Sequence, residues 1–159
     1  MSIPIVAIDL GTSRSAMIVS EVGEESAVTN ILAPRECGEE VDQNGKVLTC
    51  ILLRSEGDTL VAESFGSKAE SDYAAKSVQN DTGDFAFIKN FKLLLHEGEK
   101  VDPSVGRTRS LREVKLSLVI AKILEIFKLR ALEFLNESGT SVVNKDSIIW
   151  VLTIPAIWR

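Results

Sequence analysis

Histidine is nearly missing from this chain of 159 residues: His96 is the only one. A His-rich metal site is thereby excluded. A Ser–His–Asp hydrolase would have to use His96, and no nucleophile motif accompanies it. Cysteine is almost as scarce. Cys37 and Cys50 do not make a disulfide framework, and their spacing is not that of a metal knuckle. No stretch approaches the roughly 18 apolar residues of a membrane span. The start, Met1-Ser2-Ile3-Pro4-Ile5, lacks the basic and long apolar regions of a signal peptide. Basic residues are in deficit too: 18 Lys and Arg face 23 Asp and Glu, a net charge of -5. That balance gives no electrostatic reason to expect nucleic acid or a membrane surface as partner. The local exception, Arg107, Arg109, Arg112 and Lys115, reads as the solvated start of a helix. These absences point to a cytoplasmic location with reduced cysteines.

What is present is ordinary globular composition, 45% hydrophobic and 26% charged, enough for one domain or a part of a larger one. Residues 3–8, Ile-Pro-Ile-Val-Ala-Ile, form a continuous apolar run that suits a strand buried on both faces. Residues 15–22 and 26–33 read as two further strands, the first hairpin closing through Gly11, Thr12 and Ser13. From 34 to 109 glycine and proline punctuate the chain. Val47–Leu53 and Thr59–Ala62 read as strands around the Glu56-Gly57 turn, and 63–76 as a helix. Phe85–Leu95 is apolar with interspersed lysines. This stretch is too apolar to be disordered and reads as a smaller α+β insertion.

The pattern over 110–138 predicts a long helix, opened by a Ser110–Glu113 capping box and stopped near Gly139. Its apolar stripe runs through Leu116, Val119, Ile120, Ile123, Phe127, Ala131 and Phe134, and is widened by Leu118, Leu124, Leu129 and Leu132. Residues 147–154 read as another buried strand, halted by Pro155. A long helix before a buried strand suggests a crossover to a parallel position. If that strand lies beside the first, Asp9-Leu10-Gly11-Thr12 and Pro155-Ala156 flank one crevice, the edge at which open α/β sheets bind ligands.

The turn Asp9–Ser15 carries the chemistry. Gly11 can take a positive φ and lets the backbone approach an anion. Successive N–H groups in a tight turn form an anion-binding nest. Thr12, Ser13 and Ser15 add hydroxyls. Asp9 repels a phosphate unless a divalent cation lies between them, through water as Mg²⁺ prefers. The other reading of this turn is a surface hairpin whose Asp and Thr satisfy local backbone groups. No Walker motif is present. Lys89 and Lys92 are the candidates for a lysine that reaches a phosphate, against the reading of solvated lysines on an amphipathic segment. Trp150 and Trp158 read as core residues.

Ile5-Val-Ala-Ile-Asp-Leu-Gly-Thr-Ser-Arg-Ser15 resembles the first phosphate loop of the actin, hexokinase and heat-shock ATPase superfamily. Trp150-Val-Leu-Thr-Ile-Pro-Ala-Ile-Trp158 resembles the Val-Thr-Val-Pro-Ala strand of the seventy-kilodalton heat-shock proteins. With Phe91-Lys-Leu-Leu-Leu-His96, it is closer to the divergent heat-shock 70 kDa protein 12 branch. The end motifs are specific, whereas residues 34–84 match only loosely.

The resemblance implies an α/β fold: a ribonuclease-H-like, actin-like ATPase core lobe from residues 1–35 and 110–159, with a smaller α+β lobe, 36–109, inserted. It implies ATP or ADP and Mg²⁺ as ligands, with Asp9 holding the metal's water shell and Gly11, Thr12 and Ser13 on the β- and γ-phosphates. Lys92, with Lys89 as fallback, would position the attacking water, and Pro155 would relay nucleotide state to a substrate-binding part. Client proteins and co-chaperones would engage parts outside this chain. On this resemblance the chain is an incomplete N-terminal fragment, since the second phosphate loop, the adenosine-binding segments and the substrate domain would lie beyond Arg159. Ser13 stands where the family usually has a second threonine, and Arg14 replaces a commonly aromatic position. Three functions compete: a chaperone Mg-ATPase, a nucleotide sensor or interaction module without turnover, and a small-molecule kinase, the last disfavoured by the 91–92 and 150–158 segments.

Overall fold

In the computed structural model the described residues are 3–22, 27–32, 44–57, 59–96, 100–101, 114–137 and 147–153. The first apolar run forms β1 (Ile3–Asp9), which returns as β2 (Arg14–Val22) and β3 (Ala27–Leu32) in antiparallel order. Two short strands follow the Asn44-Gly45 turn. The first, β4 (Val47–Leu48), pairs with the start of β2, and β5 (Cys50–Glu56) enters a second sheet. There β5 is the centre of three strands, between β6 (Thr59–Phe65) and β7 (Phe85–Lys89). Gly57, at φ +62°, turns β5 into β6. The helix α1 (Gly66–Val78) follows β6 directly. A small ladder, β8 (Lys100–Val101) with β9 (Val114–Lys115), precedes the long helix α2 (Leu116–Glu137). The last strand, β10 (Ile149–Thr153), runs parallel to β1 with Asp9 opposite Thr153.

The order β10-β1-β2-β3 is the adjacency that the helix-then-strand pattern calls for, and the architecture is mixed α/β. One apolar core joins both sheets to α2. It takes Val6, Ile8, Met17 and Val19 from the first sheet, Ile51, Leu53 and Ile88 from the second, and Val119, Ile123, Phe127 and Ala131 from the helix. The period of 2 along β5 divides its side chains. Ile51 and Leu53 face this core, while Cys50 and Leu52 pack with Ala69 and Phe85 under α1. β5 is central in its sheet and covered on both faces, and its first four residues, Cys50–Leu53, are all buried.

Several sequence expectations need correction. The helix begins at Leu116, after a strand at 114–115. The Ser110–Glu113 box therefore does not open it; that box lies outside the described residues, as do Gly139, Cys37, Pro155 and Trp158. Leu118 and Leu129 are exposed rather than part of the stripe, because they stand off the 3.6-residue face that meets the sheets. Arg130 is buried in their stead, its Nη1 donating to Glu133 at 2.8 Å. The strand β10 is not buried: Ile149, Trp150, Val151 and Leu152 are 40–47% exposed. Among the described residues it has one strand neighbour, β1. Apolar composition marked it as a strand but did not supply its cover. Likewise β1 is fully buried on one face and half-buried on the other.

Candidate functional site

The turn after β1 lies where three parts of the chain meet. Leu10 is buried and anchors it from below. A Cβ at Gly11 would fall 2.0 Å from the Arg14 carbonyl oxygen. Gly11 is not among the positive-φ glycines, which corrects the sequence expectation. Its necessity comes from the close approach of a backbone carbonyl, not from a left-handed conformation. The far side of the turn is fastened by β4. The Thr49 N–H donates to the Ser13 carbonyl at 2.9 Å, and the Ser15 and Thr49 hydroxyls share a 2.7 Å hydrogen bond. Ser15 and Thr49 are both buried. Thr12 is half-buried and Ser13 and Arg14 are exposed, so the tip of the turn opens outward.

Asp9, half-exposed at the end of β1, accepts two hydrogen bonds. Lys46 Nζ donates to Oδ2 at 3.0 Å, and the Thr153 hydroxyl donates to Oδ1 at 3.0 Å. The parallel register of β1 and β10 brings Thr153 there. The Gly45 turn, at φ +73°, and the β4–β2 pairing bring Lys46. The Lys46 hydrogen bond is the main reason that the Asp9 carboxyl is held below its ordinary pKa. Burial opposes this, and Thr153 and the charges of Lys46 and Lys92 add to it.

The two candidate lysines separate in space. After β7, Asn90 adopts φ +55° and the chain enters a 3₁₀ turn, Phe91–His96. Asn tolerates this left-handed conformation better than most residues. The reversal seats Phe91 in the core and leaves Lys92 only 7% exposed, with Nζ donating to the Leu10 carbonyl. Burial lowers the Lys92 pKa, and the negative charge of Asp9 partly restores it. Lys89 points elsewhere, 3.9 Å from Glu70 and over the Phe87 ring. Asp9, Gly11, Thr12, Ser13 and Lys92 thus gather at one place. Ser15 adjoins them with its hydroxyl committed inward. Lys46, Thr49 and Thr153 belong to the same group and were not singled out from the sequence. The only signal for them was Thr153 at the end of an apolar strand, and Asn44-Gly45 as a turn.

Among the described residues no group of three or more His, Cys, Asp or Glu gathers. A magnesium ion accepts so sparse a protein shell, because it keeps several waters and shares the phosphates of its substrate. The half-exposed Asp9 fits a water-mediated contact of that kind, with the Lys46 ammonium as the competing cation. A cavity of about 420 Å³ between β6 and α2 fits a polyphosphate less well. Its cations Lys68, Lys122 and Arg130 each already bond an acid, Asp72, Glu125 and Glu133.

No family model matches the chain. Human heat shock 70 kDa protein 12B is 31% identical over 98% of this chain. Human and mouse heat shock 70 kDa protein 12A are each 29% identical over 98% of it. The chain spans 22% of the length of each of these relatives. With nearly its whole length aligned, the chain is a homologue of one part of the heat shock 70 kDa proteins 12A and 12B.

Proposed function

We propose that this chain is the first part of an ATP-binding, Mg-dependent ATPase domain of a heat-shock-70-like chaperone. The observation that carries the reading is the meeting of Asp9, the outward-facing turn Gly11–Ser13 and the buried Lys92 beside the Leu10 carbonyl. In this reading residues 1–35 and 110–159 form a ribonuclease-H-like core lobe and 36–109 an inserted smaller lobe. The backbone of Gly11, Thr12 and Ser13 receives the β- and γ-phosphates of ATP or ADP. Ser15 supports them through its backbone, since its hydroxyl is bonded to Thr49. Asp9 holds the water shell of Mg²⁺, whose contribution would be to neutralise phosphate charge. Lys92 orients the attacking water, a role of positioning and charge stabilisation. Pro155 would pass the nucleotide state onward. No described helix is long and apolar enough to cross a membrane; the cytoplasmic location is part of the reading itself. Clients and co-chaperones would engage other parts of a longer protein.

The hold of Lys46 and Thr153 on Asp9 favours a second reading, a module that binds nucleotide without turnover. Nucleotide titration followed by NMR tests the shared premise. Mg-ATP should shift the amide signals of Gly11, Thr12 and Ser13 at millimolar concentration, binding being weak where half a cleft is exposed and screened. Silence at this turn with shifts elsewhere would reject both readings. In the longer protein, phosphate release that falls in Lys92→Ala, with ATP binding kept, separates the ATPase from the sensor; this chain alone is expected to be inactive.

A further inference from the structure

We propose that Lys46 is a cationic gate on the phosphate turn. It holds Asp9 while the turn is empty, and it moves to the phosphate chain when a polyphosphate arrives, which frees Asp9 for the divalent cation. The inference rests on the nucleotide reading and gives one more residue a part in it.

The geometry supports it in three ways. First, the Lys46 ammonium is 3.0 Å from Asp9 Oδ2, and Thr153 takes Oδ1. A hydrated cation arriving at this carboxylate meets both oxygens already bonded, one of them by a like charge. Second, Lys46 is poised to move. Its side chain is 39% exposed, and an ion pair so open to water is held weakly. Its backbone, by contrast, is fixed two residues before Leu48, which pairs with Arg14 at the far end of the same turn. Third, the charge balance is right. Lys92 is buried against the Leu10 carbonyl and cannot leave without exposing that contact. Lys46 is thus the more solvent-exposed of the two ammonium groups, and an ammonium on a flexible stem suits a point contact with phosphate.

The test uses the whole chain and two probes that require no turnover. Free Mn²⁺, followed by paramagnetic broadening of the Leu10–Ser13 amide signals, reads access to Asp9. Inorganic triphosphate without metal, followed by shifts of the same signals, reads the phosphate contact. In Lys46→Gln the Mn²⁺ affinity should rise about tenfold, and Asp9→Asn added to it should abolish the gain. Triphosphate affinity should fall about tenfold in Lys46→Gln and recover in Lys46→Arg. Unchanged Mn²⁺ affinity in Lys46→Gln overturns the gate, as does an Mn²⁺ gain with unchanged triphosphate binding, which would leave Lys46 a mere plug. If the wild-type chain binds Mg-ATP at this turn while Lys46→Gln alters neither probe, the gate fails and the nucleotide reading stands. If wild type binds neither triphosphate nor Mg-ATP there, both fail together.

Discussion

Gly11 is held by a contact rather than by a dihedral angle. The Arg14 carbonyl stands 2.0 Å from where a Cβ would be, and it is backbone that β4 fixes through the next residue. Gly11→Ala should therefore distort the turn at a cost of about 1–3 kcal/mol, the usual range for overpacking, measured by urea unfolding. The Ser15–Thr49 pair behaves differently. Ser15→Ala leaves a buried hydroxyl short of a partner, costing about 1–3 kcal/mol. Adding Thr49→Val should recover part of this loss, because both partners are then apolar. Fully additive losses in that double-mutant cycle would mean the hydroxyls are not coupled. Asp9 carries a pH prediction. Its folded pKa lies below the ordinary carboxylate range, chiefly through the Lys46 hydrogen bond. Its stabilising contribution is therefore complete above that ordinary range and is lost as pH falls through the folded pKa. Lys46→Gln should move the Asp9 titration, followed by carboxyl NMR, toward the ordinary carboxylate range.

At the scale of elements, α2 links the two sheets. Phe127 is fully buried and meets Phe65 edge-on, with ring centroids 5.5 Å apart. Phe127→Ala should cost about 3–5 kcal/mol and loosen the second sheet from the first, read as lost amide protection in β5 and β6. Elements such as β1, β2, β5 and α2 were legible because period and length agreed with their tertiary role. The start of α2 was not. The sequence Ser-x-x-Glu satisfies a local rule for capping, but the β8–β9 ladder takes residues 114–115 into a strand first. A pairing with residues 100–101 leaves no trace in a window of four residues.

At the scale of the whole molecule, β10 presents four consecutive exposed apolar side chains and, among the described residues, stands at the edge of its sheet. Such edges invite strand pairing. The chain should self-associate with rising concentration, and Val151→Lys should shift sedimentation toward monomer.

The sequence by itself determined the two end motifs, the α/β alternation and, through turn chemistry, Asp9, Gly11, Thr12 and Ser13 as a set to watch, while Lys92, with Lys89 as fallback, came from the family resemblance. Tertiary structure alone separates Lys89 from Lys92. Three residues apart on one apolar segment, they look equivalent until the left-handed Asn90 turns the chain and buries one of them against Leu10. It also decided that Lys46 and Thr153 meet at Asp9, across separations of 37 and 144 residues. Contacts of that range are set by strand register and sheet order, which no local pattern encodes.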